Sequence, residues 1–153
     1  MLDKQQVTDL IRSESVLIDR GIIGDLYETG LKFLGIGVGG ILYSAGKKGG
    51  ARGAQVLHQR LGLIGEDLLE AALLAFTQAN WGVGTLMRDG AKIAIQVQDS
   101  ALASSVQHQR KPICHPLAGY IAGFLEEAWK RSVKVRETKC IAVGDEYCLF
   151  EVE

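Results

Sequence analysis

Residues 81 to 98 read WGVGTLMRDGAKIAIQVQ, and the fold class turns on how this stretch divides. Asp89-Gly90 is a strong turn pair, and extended segments flank it at 81–88 and 92–98. In the second segment Ile93, Ile95 and Val97 alternate with Ala94, Gln96 and Gln98, the period of a half-exposed strand. Upstream the period is helical. Residues 4–13 carry Val7, Leu10 and Ile11 on one side, with Leu2 just before them. A short extended piece at 15–19 follows. Residues 22–34 form a second helix, with Leu26, Leu31 and Phe33 as its buried candidates. A third starts near Gly37 despite its glycines and continues through Ala54, Val56, Leu57 and Leu61. Gly39, Gly40 and Gly46 allow close backbone approach there. Residues 66–80 give the clearest helix, with Leu68, Leu69, Ala72, Leu73 and Phe76 near 3.6-residue spacing.

Beyond the hairpin, residues 100–109 are ambiguous between loop and a short helical turn. Pro116 sits well in the first turn of a helix reaching about Lys130, because a proline there loses no helical hydrogen bond. Gly119 and Gly123 lie four apart on one side of it and admit a closely packed neighbour. The last segment alternates again around Val133 and Val135, turns at Gly144-Asp145, and ends on a strand at 147–152. Helices, hairpin, helix, hairpin: this order predicts an α+β fold. Residues 1–153 form a single domain in which an antiparallel sheet packs against helices.

The bulk properties narrow the function classes. At 153 residues, with 47% hydrophobic and 23% charged residues, the chain reads as a globular domain. A net charge of -1 argues against a general grip on nucleic acid or anionic membrane. The polar start MLDKQQVTDL has no apolar signal core, and no charge-free stretch reaches membrane-spanning length. Three cysteines cannot complete a disulfide framework, so reduced thiols and a cytoplasmic location are the expectation.

Those cysteines carry the clearest chemistry. A turn at 143–145 sets Cys140 opposite Cys148, with Cβ atoms about 4.5 to 5.5 Å apart. Two thiolates at that separation can share a tetrahedral metal. Glu137 lies three residues before Cys140, so in a flat strand their side chains face opposite ways. Only a bulge or strong twist brings Glu137 round. Cys114, just ahead of the Pro116 helix, can complete a set of three cysteines and one glutamate. Thiolates would select zinc, and four protein ligands would leave no open position. Arg136, Lys139 and Lys111 are candidates to offset the excess negative charge, and His115 is a candidate supporting donor or alternative ligand. With no CxxC pair, spacing alone leaves three readings open: a metal site, unliganded core cysteines, or an oxidised or reactive pair.

The stretches CHPLAGYIAGF (114–124) and ETKCIAVGDEYCLF (137–150), with Tyr43, Gly46 and Gly50 in ILYSAGKKGG (41–50), resemble the four-vinyl reductase domain family. That resemblance implies a fold similar to subunits of the TRAPP vesicle-tethering complex, and a homodimer. It further implies a structural zinc held by Cys114, Glu137, Cys140 and Cys148, by analogy with sensor domains of aromatic-responsive transcription activators. Such domains bind a phenolic effector beside the metal. The chain lacks the P-loop GxxxxGK[ST] of a complete activator, and has no Rossmann GxGxxG or haem CxxCH.

Trp81, Tyr120, Phe124 and Trp129 are the candidates to line an apolar pocket between helices and sheet. His58 and His108 read as structural or solvated, and Lys47 and Lys48 as a solvated turn. The leading expectation is a zinc-containing, homodimeric, sensor-like domain. It would bind a hydrophobic or aromatic small molecule and signal to a separate protein partner, without direct nucleic-acid contact. A TRAPP-like adaptor or assembly module is the alternative. A tetrapyrrole vinyl reductase is a third reading; since no reductant site is displayed, the sequence leans away from an enzyme.

Overall fold

The computed structural model describes residues 2–106 and 108–153. Four helices come first: α1 (Lys4–Glu14), α2 (Arg20–Leu34), α3 (Val38–Leu61) and α4 (Gly65–Gln78). Strands β1 (Val83–Asp89) and β2 (Lys92–Gln98) follow, then a short α5 (Ala101–Ser105) and α6 (His115–Trp129). β3 (Val135–Lys139) and β4 (Cys148–Val152) close the chain. The four strands form one antiparallel sheet in the order β1-β2-β4-β3. The fold class is α+β, a sheet covered by helices. The ambiguous stretch 100–109 resolves into α5, except that Gln107 lies outside the described residues.

Local chemistry explains the helix ends. Asp3 accepts the amides of Gln5 and Gln6, and Asp19 those of Gly21 and Ile22, so each aspartate caps donors that the first turn leaves unpaired. α3 stops at Gly62, whose φ of +68° suits a left-handed helix terminus.

The expected inner face of α2 is corrected by the structure. Leu26 and Phe33 point outward, 69% and 84% exposed, while Gly24 and Tyr27 are the buried residues. At about 100° per residue, Ile22, Leu26 and Phe33 fall on one face, opposite Gly24, Tyr27 and Leu31. The helix has two apolar faces, and the inner one contains the tyrosine.

α3 and α6 make the closest packing in the molecule. A methyl group at Gly46 would overlap the Pro116 carbonyl, and one at Gly50 the Tyr120 carbonyl. From the other side, Gly119 and Gly123 meet the carbonyls of Tyr43 and Lys47. Two pairs of glycines at four-residue spacing therefore let the backbones touch. Lys47 is not in a solvated turn: it lies in α3, and its ammonium pairs with Glu126 of α6 at 2.8 Å.

On the sheet, Ile95 pairs with Phe150, and Val97 with Cys148. Phe150, Val97 and Cys148 are all buried on the helix-facing side. The register between β3 and β4 slips between Glu137 and Lys139. Glu137 sits opposite Phe150, yet Lys139 sits opposite Leu149, so Thr138 is the extra residue of a bulge.

Candidate metal centre and apolar cavity

The bulge decides the site. In an unbroken strand residues 137 and 140 point to opposite faces. The extra residue at 138 reverses the parity, so Glu137 and Cys140 both turn inward. After Cys140 the chain makes a 3-10 turn, Ile141–Val143, and Gly144, with φ +117°, carries it back towards β4. Cys148 opens β4. Cys114 occupies the N-terminal capping position of α6 but makes no side-chain cap, and its sulfur joins the others.

The structure brings the four residues together. One ligand atom from each of Cys114, Glu137, Cys140 and Cys148 lies within 4.8 Å of all the others. The three cysteines are completely buried. The Cys114 and Cys140 sulfurs are 3.9 Å apart, close to the roughly 3.8 Å edge of a tetrahedron with 2.3 Å metal–sulfur bonds.

Charge and hydrogen bonding add to this geometry. Glu137 Oε2 accepts the Cys114 amide at 2.8 Å. Its other oxygen, Oε1, is buried without a partner among the described residues. An orphaned carboxylate oxygen beside three thiols is costly unless a cation receives it. Burial, and then the neighbouring Cys140, push the Glu137 carboxyl up to about 8. Cys140 is driven the other way by hydrogen bonds from the Cys114 and Cys148 thiols, so it holds the first negative charge. The Cys114 thiol is pushed up, chiefly because it donates to Cys140. Four acidic donors that cannot all ionise together, with one oxygen unsatisfied, fit a divalent cation. The donor set can hold a metal ion.

The expected cationic neighbours are used elsewhere. Arg136 pairs with Glu151 and Glu153 on the outer side of the sheet, and Lys139 reaches the Tyr147 hydroxyl at 3.1 Å. Backbone amides serve instead: that of Ile141 points at the Cys148 sulfur at 3.5 Å. His115 is outside the cluster, because the next residue along a helix points about 100° away. Its ring lies over Gly39.

The aromatic candidates divide among two adjoining cavities. The larger, about 620 Å³, is enclosed by α1, α2, α3, α4 and α6, and both Trp81 and Tyr120 line it. The smaller, about 70 Å³, lies between α4, α6 and the sheet, and is lined by Tyr120 and Phe124. Ala72, Phe76, Leu117 and Tyr120 border both. Trp129 lines neither. It is the last residue of α6, and the Arg131 guanidinium stacks 4.9 Å from its ring centre.

Sequence reasoning missed Tyr27, whose ring lines the large cavity while its hydroxyl donates to the buried carbonyl of Ile113, next to Cys114. It also missed the alanine wall of α4. Ala72, Ala75 and Ala79 recur at helical spacing and leave the space unfilled. That spacing was the available signal.

Residues 93–153, which hold the whole sheet-borne half of this site, match the model of the four-vinyl reductase domain. The chain is 30% identical over 125 residues to the uncharacterized protein MJ0150 of Methanocaldococcus jannaschii, covering 81% of this chain and 69% of that protein. The chain belongs to the four-vinyl reductase domain family. Other relatives from that organism are longer than the matched part: the chain spans 37% of one and 39% of another. Among solved structures it is similar to the phenol-responsive sensory domain of the transcription activator PoxR with phenol. The TM-score is 0.75 at 18% identity, covering 90% of this chain and 75% of that one. It is also similar to a trafficking protein particle complex subunit 3 from Naegleria fowleri, covalently bound to palmitic acid. Here the TM-score is 0.67 at 19% identity, over 99% and 96%. At these identities the likeness is one of fold. Among the described residues, no helix is long and apolar enough to cross a membrane.

Proposed function

We propose that this chain is a zinc-containing domain that binds a small apolar molecule and acts through a homodimer. The observation that carries the reading is the cavity of about 620 Å³, walled by the helix that begins at the cysteine cluster. Its size lies within the range of small-molecule sites. Cys114, Glu137, Cys140 and Cys148 would hold the metal, whose chemistry there is that of a structural cross-link. Pro116, Leu117 and Tyr120 belong to the first turns of α6, so the residues that hold the metal also place one cavity wall. The exposed stripe of Ile22, Leu26 and Phe33 supports a second copy or a separate protein partner packing against α2. The PoxR domain supports the sensor reading through its fold and through the phenol named with it.

A neutral fluorescent probe, N-phenyl-1-naphthylamine, tests the reading. It should bind with a blue-shifted, enhanced emission, and Ala72→Phe, which fills the boundary of both cavities, should weaken binding at least tenfold. No binding to the folded wild type would leave the adaptor reading, which the exposed α2 stripe also favours.

Metal binding should depend steeply on pH. Without metal, Glu137 keeps its proton up to about 8, and Cys114 stays protonated throughout the neutral range. A metal ion must displace those protons, so affinity rises with pH and falls on acidification. We expect an increase on the order of a hundredfold from pH 6 to pH 7, two protons at tenfold each. Above pH 8 the Glu137 share should vanish. Competition against a chromophoric chelator at each pH measures the slope.

A further inference from the structure

We propose that the large cavity selects a neutral, mainly apolar molecule bearing one hydrogen-bond acceptor, and that Ser100 reads that acceptor. This rests on the ligand-binding reading above and goes further, naming the class of ligand and the residue that recognises it.

Charge excludes most alternatives. Among the described residues, no charged side chain lines either cavity. A carboxylate, phosphate or ammonium group inside would lose its hydration and meet no counter-charge. The cavity therefore discriminates against ions before any specific contact is made.

Most of its polar side chains are committed or peripheral. The Tyr27 hydroxyl donates to the Ile113 carbonyl. Tyr120 presents its ring to the cavity, while its hydroxyl end lies against Gly53 on the far side of α3. Ser15 is exposed and Trp81 is 41% exposed, which places both at the mouth. Ser100 alone among them is deeply buried, at 1% exposure. It lines the cavity and caps α5, where its oxygen accepts the Ala103 amide at 3.3 Å.

That role uses the serine as an acceptor only. A hydroxyl carries one proton to donate as well, and among the described residues that proton has no acceptor. A donor buried beside an apolar space is poorly satisfied. A carbonyl, ether or hydroxyl oxygen on the ligand would take it, whereas a pure hydrocarbon could not.

The test compares three probes of one shape on the full chain: fluorene, 9-fluorenone and fluorene-9-carboxylate. Each is titrated against bound N-phenyl-1-naphthylamine. Hydrophobicity alone favours fluorene, so tighter binding of fluorenone reports a specific contact. We expect fluorenone to bind about tenfold tighter than fluorene, the effect of one hydrogen bond. The carboxylate should bind weakest. Ser100→Ala should abolish the fluorenone advantage while leaving fluorene unchanged. Ser100→Gly, which keeps most of the capping preference, should do the same if the alanine variant folds poorly. Equal affinity for fluorene and fluorenone in the wild type overturns the proposal. So does a fluorenone preference that survives both substitutions, or a carboxylate that binds best. Failure of every probe, the naphthylamine included, overturns the underlying ligand-binding reading instead.

Discussion

Protein purified without added metal should contain about one zinc per chain, and Cys140→Ala should contain none. The balance of charge in the cluster sets this expectation. Metal-free, the four groups share protons and leave Glu137 Oε1 unpaired; metal-bound, each becomes a ligand. Cys140 is the right residue to remove because it already bears the negative charge and touches Cys114. A metal held at a thousandfold above its dissociation constant adds about 4 kcal/mol to stability. For a chain of this size that corresponds to a fall in melting temperature of roughly 10 °C when the site is lost. If the cysteines were only core residues, replacing one by alanine would remove a small buried sulfur and leave metal content at zero in both proteins. Elemental analysis and thermal melting of the two proteins decide between these outcomes. Metal-free, well-folded wild type, prepared with chelator-free resin and buffers, would falsify the zinc assignment.

The second large effect is expected at the α3–α6 seam. Gly50→Ala should destabilise the protein by about 3 kcal/mol, the upper end of the range for overpacking. The new methyl would run into the Tyr120 carbonyl and the Phe124 amide, which are backbone atoms and cannot rotate aside. Gly40→Ala, in the same helix, should do the reverse. Nothing lies within 4 Å of the added carbon there, and the position is exposed. Alanine is favoured over glycine in a helix by up to about 1 kcal/mol. Urea denaturation of both variants reads the opposite signs directly. Two equal small losses would mean that the backbones do not touch.

The hairpin at 83–98 could be read from the sequence because alternation and Asp89-Gly90 give the same answer. The third and fourth helices could be read from their periodicity. The face of α2 could not. A helix with apolar residues on two sides gives no sequence signal for which side faces the core, and here the inner side holds Gly24 and Tyr27. α5 is five residues long, too short to establish a period. Within the site, the need for a bulge between Glu137 and Cys140 followed from strand parity alone, and the structure supplies it at Thr138. Grouping Cys114 with them required the resemblance, because a contact between residues 26 apart in sequence leaves no local trace. The cavity was harder still. Trp81, Tyr120 and Phe124 line one cavity or the other, but empty space is made by small residues, and aromatic candidates do not reveal it.

The glycine seam bears on how a molecule could enter the large cavity. One wall is built on α3 and α6, two helices whose backbones interlock. The opposite wall is α1 and α2, joined by an exposed linker containing Val16, Leu17 and Ile18. These walls should differ in amide hydrogen exchange. Protons along the seam should exchange only when the whole domain unfolds, whereas those of α2 should exchange through local opening, orders of magnitude sooner. The slow wall would hold the shape of the site, and the fast wall would be the door.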